Sequence, residues 1–223
     1  MIILNLKNYV ESTGANLAPI IKDLEAAALA LPGLANIVSI SPAMYDLHQA
    51  LATSSQIKVM APHVDAKNVG STTGWAPAES IRTIGIEYSL LNHSEHRFAD
   101  WTELESTIKF AQEKGLKLVV CCENLAEAEK LLALQPYAIA FEDKDLIGTG
   151  NSITTGRPDD VKAFIAMVKG KSKAIIGAGV SSGDDIKVGL EFGAEGFILA
   201  SAFVKATDKK AKAIELASPF LGQ

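Results

Sequence analysis

Cysteine is nearly absent from this sequence: there are two in 223 residues, and those two, Cys121 and Cys122, are adjacent. Neighbouring side chains on a strand point to opposite faces, so the pair cannot close a structural disulfide, and a disulfide-stapled scaffold is excluded. Such thiol usage fits a reducing, cytoplasmic setting. Long apolar runs are also missing. The N-terminal stretch Met1-Ile2-Ile3-Leu4-Asn5-Leu6-Lys7 is too short for a signal core. Nothing later approaches the roughly 18 apolar residues of a membrane helix, so no membrane association is expected. Positive charge is not in excess either. With 21 Lys and Arg against 26 Asp and Glu, the net charge of −5 offers no broad basic surface to a nucleic acid. Linkers and low-complexity tracts are lacking, so residues 1–223 read as one domain.

What is present is alternation. Short apolar runs at Ile2–Lys7, Asn36–Ser41, Ile57–Ala61, Tyr88–Asn92, Leu116–Cys122, Tyr137–Glu142, Ala174–Ala178 and Gly196–Ala200 are each followed by a stretch of helical period. Leu17, Ile20, Ile21, Leu24, Ala28 and Leu31 keep the i, i+3, i+4 spacing, as do Leu125, Ala128, Leu131 and Leu132, and Val161, Phe164, Ile165 and Val168. Pro77 and Pro158 are placed for first helical turns, and Asn124 and Ser182 for N-caps. Eight strand–helix units over this length predict a single-domain α/β chain, a (β/α)8 barrel. An open, doubly wound sheet would favour a glycine-rich turn after strand one, where Lys7-Asn8-Tyr9 stands instead.

A barrel of this kind does its chemistry at the carboxyl ends of its strands, so polar residues at those ends are the candidates. Period-two alternation on strand one puts Ile3, Asn5 and Lys7 on the barrel-axis face, although Lys7 could equally leave the strand into solvent. On strand six Ile139 and Phe141 face the helices, whereas Ala138, Ala140 and Glu142 face the axis. Glu142 reads either as a rim charge or as a base. The following Leu146-Ile147-Gly148-Thr149-Gly150 suits a lid whose backbone can approach an anion. Strand four ends in the polar cluster Asn92-His93-Ser94-Glu95-His96-Arg97; its two histidines have no third ligand near them in sequence, so no metal is expected. Gly177-Ala178-Gly179 and Leu199-Ala200-Ser201 end strands seven and eight, the usual place for a phosphate in such barrels.

Asn5-Leu6-Lys7, His93-Ser94-Glu95 and Glu142 with Leu146-Ile147-Gly148-Thr149-Gly150 resemble, in order, the signature segments of the triosephosphate isomerases. The resemblance runs over essentially the whole chain. Its short length, Asn92 before the histidine and the Gly-Ala-Gly segment resemble the compact archaeal branch. This implies a single-domain TIM barrel that interconverts dihydroxyacetone phosphate and D-glyceraldehyde 3-phosphate without cofactor or metal. The roles carried over from the family make Glu142 the base, His93 a neutral electrophile and Lys7 a fixed positive charge. Backbone at Gly148, Gly179, Ala200 and Ser201 would hold the phosphate, beneath a lid of Asp143, Lys144, Asp145, Leu146, Ile147, Gly148, Thr149 and Gly150. A helix N-terminus after strand four would keep His93 neutral. Asn5 is expected to bind substrate and support Lys7, and Glu95 to be a buried partner near His93. The loop His63–Ala76 is expected to reach a neighbouring subunit through Thr73, in a homodimer or homotetramer.

One departure bears on mechanism. The family usually carries proline directly after the base, whereas this chain has Asp143-Lys144-Asp145, a more flexible and more charged hinge. Like-charge repulsion on Glu142, blunted by Lys144 and solvent, predicts a displaced acid limb of activity. The alternatives are another phosphosugar isomerase or epimerase on the same barrel, and a non-catalytic phosphometabolite-binding barrel.

Overall fold

A computed structural model describes residues 1–143 and 153–222. Its eight strands are β1 (Ile2–Asn5), β2 (Val38–Ser41), β3 (Lys58–Val59), β4 (Tyr88–Leu91), β5 (Lys117–Cys122), β6 (Ala138–Phe141), β7 (Lys173–Ile176) and β8 (Gly196–Leu199). They lie in the order β3-β2-β1-β8-β7-β6-β5-β4, and every pairing is parallel. Ala61 joins the two ends. Its N–H donates to the Tyr88 carbonyl at 2.9 Å, and its carbonyl accepts from the Leu90 N–H at 2.9 Å. The sheet therefore closes, and a helix follows each strand, which makes the fold a (β/α)8 TIM barrel.

The strands end where the backbone cannot continue extended. Lys7 (φ 50°) and Asn92 (φ 58°) are left-handed, which stops β1 and β4 short of the boundaries expected from the apolar runs. At the other side, β2 begins at Val38 because Leu34–Ile37 forms a helical turn.

The strand alternation produces two separate apolar layers. Ile3, Met60, Leu90, Val119, Cys121, Ala138, Ala140, Ile175 and Ile198 fill the barrel interior. Ile2, Leu4, Leu6, Ile139 and Phe141 face outward against the helices. The helix Pro158–Val168 buries Val161, Phe164, Ile165 and Val168, and Phe164 stacks on Phe141 of β6 with centroids 5.2 Å apart. Burying each such side chain contributes about 1.5–3 kcal/mol.

Helix starts are defined by side chains. Asn124 accepts from Glu127 N–H, and Ser182 with Asp185 forms a reciprocal capping box. Pro158 occupies the first turn, while Pro77 sits one place earlier than expected, as the residue preceding the helix Ala78–Thr83. Both thiols are free and buried, Cys121 inside the barrel and Cys122 outside it. Among the described residues no helix is long and apolar enough to cross a membrane.

Candidate active site

The polar residues at the strand ends converge on one cavity of about 230 Å³. Asn5, Lys7, His93 and Glu142 line one part of it, and Gly179 and Ser201 the other. Asn5 ends β1, and its Oδ1 accepts from the Lys7 N–H at 3.2 Å. This i to i+2 bond supports the left-handed turn that swings Lys7 off the strand and over the cavity. The Lys7 side chain is 12% exposed, and its Nζ lies 2.7 Å from Glu95 Oε1. The ammonium is thus held at the mouth rather than released to solvent.

His93 follows the left-handed Asn92, whose Nδ2 donates to the Cys121 carbonyl at 3.0 Å while its Oδ1 accepts from the Phe98 N–H at 3.1 Å. The turn beyond the strand is closed by the His96 N–H, donating to the His93 carbonyl at 2.8 Å. Within it the Glu95 N–H donates to His93 Nδ1 at 3.2 Å. A backbone N–H can only donate, so Nδ1 is the acceptor and the ring proton sits on Nε2. That nitrogen faces Glu142, 3.6 Å from Oε1.

Glu142 is 2% exposed, one residue past the end of β6. Its N–H continues the ladder by donating to the Cys122 carbonyl at 2.9 Å. Its carboxylate rests on Gly177, with Cys121 on the adjoining strand β5, and leaves Oε2 without a hydrogen-bond partner among the described residues. A buried carboxylate with spare acceptor capacity, on a residue that lines a cavity, is disposed to take a proton. Burial first, and then the charge of Glu142, push the Cys121 thiol well above its ordinary range, so it stays neutral.

The far wall suits an anion. Gly179 adopts φ 68°, and the helical turn Ser201–Val204 starts beside it, with first-turn N–H groups that no preceding turn can satisfy. Across the cavity stand an imidazole N–H and an ammonium. A carboxylate, an imidazole N–H and an ammonium therefore share one pocket with this wall.

The triosephosphate isomerase family model matches residues 1–217. The chain belongs to the triosephosphate isomerase family. It is 34% identical over 209 residues to the triosephosphate isomerase of Thermoplasma volcanium, covering 93% of this chain and 94% of that one. It is 36% identical over 209 residues to that of Methanocaldococcus jannaschii (92% and 93%), and 32% identical over 221 residues to that of Methanobrevibacter smithii (98% and 97%).

Against the expectations drawn from the family, the structure brings Asn5, Lys7, His93, Glu95, Glu142, Gly179, Ala200 and Ser201 to one cavity. Lys144, Asp145, Leu146, Ile147, Gly148, Thr149 and Gly150 lie outside the described residues. Two expectations need correction. Glu95 is exposed rather than buried, with 58% of its side chain accessible, because the two-residue step from His93 carries it to the rim, where it pairs with Lys7. The helix N-terminus expected to keep His93 neutral does not stand beside it: the next helix is Trp101–Glu113, and the group that meets Nδ1 is the turn N–H of Glu95. His96 turns away from His93 to pack on His63, with ring centroids 4.2 Å apart.

Three contacts of this triosephosphate isomerase site went unread in the sequence. Cys121 is one, although its inward register opposite Ala140 could have placed it beneath Glu142. The seat that Gly177 provides for Glu142 is another. The third is Arg157, whose Nε lies 2.9 Å from Asp143 Oδ2. Position 143 is therefore buried and paired, not the solvent-facing charge that a bare Asp-Lys-Asp hinge suggests.

Proposed function

We propose that Glu142, His93 and Lys7 carry out triosephosphate isomerisation in this chain. The reaction interconverts dihydroxyacetone phosphate and D-glyceraldehyde 3-phosphate, an aldose–ketose isomerisation of central carbon metabolism. Glu142 takes a proton from the carbon beside the carbonyl and returns it to the neighbouring carbon. His93 donates from Nε2 to the oxygen on which negative charge develops, and moves protons between the two oxygens of the enediolate. Lys7 stabilises that charge electrostatically. The exchange is redox-neutral, and each proton has a side chain to carry it.

The observation that carries this reading is the facing pair Glu142 Oε1 and His93 Nε2, 3.6 Å apart on the wall of a cavity that also holds Lys7. A carbon base and an oxygen acid so close can serve adjacent atoms of one small substrate. Its phosphate would lie against the backbone of Gly179, Ala200 and Ser201. A coupled assay with glyceraldehyde 3-phosphate tests the reading. Turnover that falls at least a hundredfold in Lys7→Met or His93→Gln is expected, on the order of what general acid–base groups contribute. Full activity in either variant contradicts the role assigned to it.

The same reading makes the protein a homo-oligomer. A second cleft of about 600 Å³ borders Asn5, Lys7, His93 and Glu95 and is lined by His63 and Trp75. The loop His63–Ala76 presents Val69 and Trp75 as exposed apolar side chains, and its Thr73 is exposed too. Such a loop inserted from a second copy would cover Glu95 and Lys7 together. Solution mass separates dimer from tetramer, and a monomer would remove the assignment of Thr73 to an interface. The two free thiols agree with a cytoplasmic setting.

A further inference from the structure

Glu142 stands at an unusual junction. Its N–H is the last rung of the β6 ladder, so the backbone before it is fixed, while the peptide after it leads out of the sheet. The next residue, Asp143, is buried, with Arg157 Nε 2.9 Å from its Oδ2. These two residues flank the segment 144–152 from opposite ends.

Arg157 is itself anchored. Its N–H donates to the Ile153 carbonyl at 2.8 Å, its carbonyl accepts from the Val161 N–H at 3.1 Å, and Pro158 begins the helix Pro158–Val168 immediately after it. Ile153 is fully buried, and its N–H donates to the Ala178 carbonyl at 3.1 Å, directly beside Gly177 on which the Glu142 carboxylate rests. A path of direct contacts thus leads from Asp143 through Arg157 and Ile153 back to the seat of the base.

We propose that the Asp143–Arg157 ion pair is a positioning device for Glu142, anchoring the peptide on the carboxyl side of the base to the helix Pro158–Val168. Two physical effects act together. A proline at 143 would fix φ through its ring; aspartate does not, and the ion pair supplies the restraint from the side chain instead. Two consecutive buried carboxylates also repel each other, and the guanidinium offsets the charge of Asp143, leaving Glu142 the carboxylate that faces the cavity. The Arg157 side chain is half exposed, at 51%, so the pair is partly open to salt. Neither residue lines the cavity, so substrate binding does not depend on them directly.

This inference rests on Glu142 being the base, and the experiment separates the two. Arg157→Gln, Arg157→Lys, Asp143→Asn and the double variant Asp143→Asn/Arg157→Gln are assayed in the intact protein for kcat and KM, with thermal unfolding alongside. Because a displacement of about 1 Å at a reacting group can reduce rate on the order of a hundredfold, kcat should fall about tenfold to a hundredfold in Arg157→Gln and Asp143→Asn, with KM within about twofold. Arg157→Lys should recover part of the loss, and the double variant should be no worse than either single, as one shared interaction requires. A fall in melting temperature with kcat unchanged makes the pair structural only and overturns the proposal, as do losses that add in the double variant. Should Arg157→Gln fail to fold, Arg157→Lys and Asp143→Asn still decide. If Glu142→Gln keeps wild-type turnover, the base assignment fails whatever Arg157 does. If Glu142→Gln is inactive while Arg157→Gln is fully active, only the positioning role is lost.

Discussion

The Glu142 carboxylate fills the space that a side chain on Gly177 would need. A Cβ at Gly177 would stand 2.7 Å from Glu142 Cγ and 2.8 Å from its Oε1, closer than real contacts allow. Gly177 is therefore a seat for the Glu142 side chain rather than a point of backbone flexibility. Gly177→Ala should push Glu142 away from His93 and lower kcat/KM about tenfold to a hundredfold, while urea unfolding changes little. Unchanged kinetics in this variant would mean that the carboxylate works from another position.

Asn92 combines a left-handed backbone with two hydrogen bonds, a buried one to the Cys121 carbonyl and a partly buried one from the Phe98 N–H. Asn92→Ala strands both backbone groups and adds the left-handed penalty of a β-carbon without a compensating polar end, for a loss of roughly 2–4 kcal/mol. Asn92→Gly keeps the conformation and should lose less. Chemical denaturation measures both, and equal losses would show that the bonds dominate and the backbone angle does not matter.

Glu25 ties the helix Leu17–Ala30 to the entry of β3, accepting from the N–H groups of Ser55 at 2.7 Å and Gln56 at 2.9 Å. Burial opposes its charge, but these backbone donors and the Ser55 hydroxyl outweigh it and pull the carboxyl from 4.5 down to about 2. Between those values the unfolded chain binds more protons than the native one. The contribution of Glu25 is thus complete above about pH 4.5 and is lost as pH falls through about 2. Glu25→Gln should be less stable by about 1 kcal/mol at neutral pH, a figure discounted because the site is partly solvated. The gap to wild type should close toward pH 2; a gap that is constant with pH would contradict this account of Glu25.

Much of the architecture was legible because barrel strands are short and strictly alternating. Ala138, Ala140 and Glu142 could be aimed inward, and Ile139 and Phe141 outward, from spacing alone. The convergence of Lys7, His93 and Glu142 was legible for the same reason, since all three stand at strand ends on the same rim. Whatever depended on a partner at no regular spacing escaped. Arg157 meets Asp143 from a distance along the chain that no strand or helix period links. The donor to His93 Nδ1 is a turn N–H, which side-chain patterns do not show. The resemblance implied a buried Glu95 beside His93, but the turn beyond β4 faces it outward toward Lys7.

The central claim is that Glu142 moves the proton, and the most direct test is isomerase turnover of Glu142→Gln against wild type in a coupled assay. The amide keeps the shape of the side chain but cannot accept the proton. Turnover should fall by about a thousandfold or more, near the upper range for a general base, with the fold intact by circular dichroism. Turnover undiminished in Glu142→Gln would contradict the account.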